Sequence, residues 1–164
     1  MKSQKFTTEL TIALQPQYSV DGKVVGSEAL IRWISPALGL IPPDEFITFA
    51  EKNGAILKLG DWIIEKTCSL LALRNAISQN CSPVSINISV KQIAQPSFTE
   101  KLLRSLQKYG VPFAQIILEI TETSVMKDPE YAIAALNSLA GSGIKLAIDD
   151  FGTGYSSLTY IQKM

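Results

Sequence analysis

Apolar positions along the chain follow two alternating periods. Short runs have every second residue apolar, the period of an extended strand, and between them lie longer stretches with apolar residues three and four apart, the period of a helix. The spacing predicts strands over 10–16, 24–33, 83–89, 115–121 and 144–149. It predicts helices over 42–52, 57–77, 97–109 and 128–139, with a further helical start at 155. Asp21-Gly22 reads as a tight turn that folds the first two strands into a hairpin. Asn53-Gly54 and Gly110 close two of the helices, and Asp128-Pro129 opens another. In the long helix, Leu59, Ile63, Cys68, Leu70, Leu71 and Leu73 are expected near one side. Strands alternating with helices predict an α/β chain built of repeated β-α units. No linker, internal repeat or low-complexity segment interrupts the pattern, so residues 1–164 read as one domain. A closed eight-stranded barrel typically needs about 250 residues, more than the 164 here.

The faces of the predicted strands differ. Residues two apart in a strand share a side. In the second strand Glu28, Leu30 and Arg32 fall together. Ser85, Asn87 and Ser89 oppose Val84, Ile86 and Ile88 in the third. Ile117, Glu119 and Thr121 oppose Ile116, Leu118 and Ile120, and Lys145, Ala147 and Asp149 oppose Ile144, Leu146 and Ile148. Each strand thus has one apolar face for helices and one face with a polar group. In the last three strands that group lies toward the C-terminal end, where α/β barrels place their chemistry.

Composition narrows what that chemistry is. Lys and Arg number 15, as do Asp and Glu, so the chain has no basic field to gather DNA, RNA or anionic lipid. It has no histidine, which removes imidazole bases and the commonest zinc ligand. Cys68 and Cys81 are too few and too far apart for a metal site or redox pair, and Cys68 falls in an apolar helical pattern as a core thiol. With no signal peptide and no long apolar run, the expected compartment is the cytoplasm.

Glu28, Asn87, Glu119 and Asp149 can converge on one point. Three carboxylates there require a positive charge, and an all-oxygen donor set favours a hard cation, Mg²⁺ or Mn²⁺. Asp150 can serve a second ion in a two-metal phosphodiester site. Each residue also has a plainer reading. A glutamate in an apolar strand is often an edge residue, Asn87 can be a satisfied core amide, and Asp149-Asp150 can simply shape a turn. Gly152-x-Gly154 is a weak phosphate signal by itself. Spacing alone leaves these alternatives open.

The motifs resemble a known family. Glu28-Ala29-Leu30, within Gly26–Trp33, resembles the signature that names the EAL domain family. Leu14-Gln15-Pro16-Gln17 resembles its opening strand, Ser85-Ile86-Asn87-Ile88-Ser89 its asparagine strand, and Leu118–Thr123 its glutamate strand. Asp149-Asp150-Phe151-Gly152-Thr153-Gly154-Tyr155-Ser156-Ser157-Leu158 resembles its functional loop. The resemblance implies an incomplete TIM-like (β/α) barrel, five of eight strands, with the first strand antiparallel. It implies hydrolysis of cyclic di-GMP to linear pGpG with Mg²⁺ or Mn²⁺. By the same resemblance Glu28, Asn87, Glu119, Asp149 and Asp150 are expected to bind metal, and Gln15, Leu30 and Arg32 to contact substrate. Thr121 and Glu122 are expected to anchor the glycine loop, near which the family forms homodimers. The family continues with strands bearing a lysine and an aspartate, a general-base glutamate, and a glutamine. Residues 1–164 are therefore expected to be inactive by themselves and to leave the fifth strand's edge open. A binding-only or protein-interaction module is the alternative; a two-carboxylate glycosidase fits the architecture but not the asparagine and paired aspartates.

Overall fold

The computed structural model describes residues 6–78, 81–121 and 143–149, together with Leu136, Asn137, Leu139 and Gly141. A short helix α1 (Phe6–Glu9) leads into a long hairpin of β1 (Leu10–Tyr18) and β2 (Val24–Ser35). Its turn closes where predicted, with Gly22 N–H donating to the Ser19 carbonyl at 2.9 Å and Gly22 at φ 76°. A three-residue strand β3 (Gly39–Ile41) pairs back on β2, and α2 (Pro43–Asn53) and α3 (Ile56–Ile77) follow. Next come β4 (Val84–Asn87), α4 (Val90–Ile93), α5 (Phe98–Tyr109), a 3₁₀ turn, β5 (Ile116–Thr121) and β6 (Lys145–Asp149).

The strands form one sheet in the order β1-β2-β4-β5-β6, with β3 off this path on β2. β2, β4, β5 and β6 run parallel, whereas β1 is antiparallel to β2. The sheet is an open section of a barrel wall, as the motifs lead one to expect. Its helix-facing side is the apolar set: Ile12, Ile31, Val84, Ile86, Ile116, Leu118 and Ile120 are all buried. Its other side carries the polar set.

α3 supplies the facing layer. Its buried residues, Ile56, Gly60, Ile63, Ile64, Thr67, Cys68 and Leu71, recur at three and four, so they form one stripe. Leu73 departs from expectation: it is 62% exposed, because two residues beyond Leu71 is about 200° around a helix. α5 docks on α3 through Phe98, Leu102 and Leu106. At the edge of that contact Glu65 accepts hydrogen bonds from Ser105 Oγ, Lys108 Nζ and Tyr109 Oη at 3.1, 2.8 and 3.0 Å. The Lys108 bond holds the Glu65 carboxyl below its ordinary value.

Cys68 is the core thiol that its spacing predicts, with no exposed surface. Burial, aided by the Glu65 charge, pushes its pKa up to about 12, which removes the reactive thiolate at neutral pH. Cys81 is half-buried at the surface, its Sγ donating to the Ser78 carbonyl at 3.3 Å. An aromatic disulfide reagent is therefore expected to titrate one thiol, Cys81, in the native protein and both in denaturant. Equal native reaction rates for the two would contradict the packing of α3.

β3, α1, α4 and the 3₁₀ turn were not legible as elements, since each spans three or four residues. Of the predicted helix over 128–139, Leu136 and Leu139 are described and buried in the core. The remainder of that helix, the glycine turn and the helical start at 155 lie outside the described residues. Among the described residues, no helix is long and apolar enough to cross a membrane.

Candidate functional site

Strand register assembles the polar face. Gln15 on β1 is opposite Glu28 on β2, and Glu28 is level with Ser85 on β4. Asn87, the last residue of β4, is level with Glu119 on β5, and Thr121, the last residue of β5, with Asp149 on β6. Laterally paired residues point to the same side of a sheet, so all of these share one face. Along the register, Asn87 and Glu119 stand two residues above the level of Glu28, and Asp149 two above that. The three carboxylates and the amide thus form one diagonal row that climbs to the C-terminal ends of β4 and β6.

Contacts agree with that construction. Asn87 Nδ2 donates to Glu28 Oε1 at 2.7 Å, joining side chains 59 residues apart. The Glu119 carboxyl is raised above its ordinary value, first by burial and then by the charges of Glu28 and Asp149, with a hydrogen bond from Ser85 opposing them. Glu119 on β5 therefore feels two other acidic groups, Glu28 on β2 and Asp149 on β6, within a span of four strands. Among the described residues, no three acidic or cysteine side chains are drawn together tightly enough to hold an ion as they stand.

A cleft of about 410 Å³ opens beside the row. Leu30, Arg32, Asn87, Glu119 and Thr121 line it, and so do Glu51, Ser89 and Gln92. Arg32 supplies a guanidinium, which here donates from Nη1 to the Ile31 carbonyl at 3.0 Å. Trp33, on the opposite side of β2 from Arg32, is held by a 2.9 Å bond from Nε1 to Glu9 and an edge-to-face contact with Phe46 at 5.5 Å. Gln15, Glu28 and Asp149 share the polar face but do not line the cleft itself. Asp150 and Glu122 lie outside the described residues, as does the glycine loop.

Three contributors were given no role by the sequence. Ser85 is the hydroxyl beside Glu119, present in the asparagine-strand motif but with nothing there to mark it as a partner of Glu119. Glu51 and Gln92 reach the cleft from helices. Ser89-Val90-Lys91-Gln92 is a capping-box pattern, a signal that marks a helix start without revealing what the helix start holds.

Comparison with known proteins bears on this geometry. The EAL domain family matches residues 3–164, and the chain belongs to that family. The chain is 33% identical over 157 residues to the bifunctional diguanylate cyclase/cyclic di-GMP phosphodiesterase MucR of Pseudomonas aeruginosa, covering 95% of this chain and 23% of that protein. It is 36% identical over 155 residues to the cyclic di-GMP phosphodiesterase PdeR of Escherichia coli, covering 94% and 23%. A solved structure described as PaMucR phosphodiesterase in complex with c-di-GMP superposes with a TM-score of 0.89 at 33% identity, over 96% of this chain and 64% of that one. The chain therefore spans about a quarter of the curated relatives' length.

Proposed function

We propose that this chain forms the metal- and substrate-gathering wall of a cyclic di-GMP phosphodiesterase site and acts as one folding unit over residues 1–164. The observation that carries the proposal is the placement of Glu28, Asn87, Glu119 and Asp149 on one face of the sheet, where Asn87 Nδ2 meets Glu28 Oε1 at 2.7 Å and the charges of Glu28 and Asp149 help to raise the Glu119 carboxyl. The donor set fits a hard divalent ion: every group is an oxygen-bearing side chain, the chain has no histidine, and Cys68 is sealed in the core. Glu28, Asn87, Glu119 and Asp149, with Asp150, hold Mg²⁺ or Mn²⁺ in this reading. Such ions supply Lewis-acid activation of water and charge neutralisation at a phosphodiester.

The remaining roles follow from side-chain chemistry. Arg32 offers a planar fork of donors matched to phosphate oxygens, and it lines the cleft beside the row. Leu30, on the same face, gives an apolar patch for a base, and Gln15, opposite Glu28, adds an amide at the rim. Thr121 and Glu122 anchor the loop after β5. In this reading Glu28, Glu119, Asp149 and Asp150 are engaged with the ion and Glu122 with the loop, so no assigned carboxylate is left to accept a proton from water. Residues 1–164 alone are therefore proposed to bind the dinucleotide without turning it over, since such proton transfer is worth about 10²–10⁴-fold.

Calorimetric titration of the 164-residue chain with cyclic di-GMP and Mn²⁺, paired with chromatography for linear product, tests this. The expected result is saturable binding that Arg32→Ala weakens about tenfold or more, the worth of one charge-assisted bond to phosphate. Binding unaffected by that variant would remove Arg32 from the site, and rapid product formation would overturn the division of labour.

A further inference from the structure

Two helices meet at Ser89, just beyond the asparagine of the site, and a third packs on the glutamine bonded to it. Ser89 N–H donates to Gln92 Oε1 at 3.1 Å, and Ser89 Oγ donates to Glu51 Oε1 of α2 at 2.8 Å. Lys91 Nζ donates to the backbone carbonyl of the same Glu51 at 2.7 Å, so α2 and α4 are clamped twice. Gln92 is only 4% exposed, and its side chain fills the place where Gly60 of α3 has none. A Cβ on Gly60 would overlap Gln92 Nε2 and stand 2.5 Å from its Cδ.

This arrangement is costlier than a helix cap requires. An exposed serine or aspartate caps a helix without burying an amide, and a glycine inside α3 forfeits helix stability. What the extra contacts hold is the end of a four-residue strand. The β4 ladder ends at Asn87 opposite Glu119, and beyond it Ile88 N–H reaches the Glu119 carbonyl at 2.8 Å. Ser89 is the next point of attachment, two residues from the amide that meets Glu28.

We infer that Glu51 and Gln92 are positioning residues that fix the exit of β4 and so aim the Asn87 amide into the carboxylate row. The inference rests on the reading of Asn87 as a metal ligand. Groups that orient a ligand are typically worth 10- to 100-fold in metal affinity.

Mn²⁺ binding to the full chain, followed by electron paramagnetic resonance, provides the test, with thermal midpoints measured in parallel. Glu51→Ala and Gln92→Ala are each expected to weaken Mn²⁺ about tenfold. Glu51→Gln keeps an acceptor for Ser89 Oγ and is expected to retain affinity, which also separates positioning from loss of charge. In the Asn87→Ala background, adding Glu51→Ala is expected to cause no further loss, because nothing is left to aim. Variants that lower the thermal midpoint but leave Mn²⁺ affinity intact would overturn the inference and leave a plain helix cap, and so would additive losses in the double variant. If Asn87→Ala itself leaves Mn²⁺ affinity unchanged, the site assignment falls and the positioning role falls with it. If Asn87→Ala weakens binding and the two positioning variants do not, only the positioning role fails.

Discussion

Glu119→Gln is expected to abolish stabilisation by Mn²⁺ while leaving the metal-free protein as stable as before, or more so. The two halves of that result have one cause. Without an ion, the Glu119 carboxylate is half-buried and faces the charges of Glu28 and Asp149, which is why its pKa is raised. Replacing it with a neutral isostere relieves that repulsion and retains an acceptor for the neighbouring Ser85. With an ion, the same change removes a charged ligand from the middle of the row. A ligand that binds only the folded state stabilises by RT ln(1 + [L]/Kd), about 2.7 kcal/mol at 100 times Kd. That increment should vanish from the variant at the Mn²⁺ concentration that saturates the parent. A thermal shift preserved in Glu119→Gln would show that the row is not where the cation sits.

Leu102→Ala is expected to cost about 2–5 kcal/mol, the range for a large aliphatic truncated in a close-packed core. Leu102 has no exposed surface and lies on the face of α5 that packs on α3. Domains are stable by only about 5–15 kcal/mol in total, and this sheet has one face uncovered at Thr11, Ala13 and Gln15. Urea unfolding followed by circular dichroism should move most of the way toward the unfolded baseline, or show no folded population at all. Leu73→Ala is the matched control: at 62% exposure it should shift stability by no more than about 0.5 kcal/mol. Similar losses for the two leucines would mean that the stripe on α3 and α5 is wrongly drawn.

Much of this was readable before any coordinates. The period-two runs located every long strand, because a face buried under helices and a face turned to the site leave opposite chemical marks on alternate residues. Asn87, Glu119 and Asp149 stood out because each is a polar group near the end of a strand with an apolar opposite face. What stayed hidden is short or diagonal. β3 is three residues between a proline and a double proline, too brief for any period to register. The stagger between Glu28 and Asp149 belongs to pairing between strands, which no single strand records. Leu73 was misplaced because apolarity was counted without the angle around the helix. Gln92 fell in no predicted element, and its burial against the bare Gly60 depends on helix packing that the sequence pattern does not record.

The reversed direction of β1 also decides how neighbouring polypeptide meets this fold. Leu10 pairs with Trp33, at the end of β2 where the site opens, and the Ser19–Lys23 turn hangs from the far end. In a barrel whose first strand ran parallel, an upstream module would arrive beneath the floor. Here the chain enters β1 from α1 at the end of β2 that carries Arg32 and Trp33, so the first strand is threaded from the rim toward the floor rather than from the floor upward.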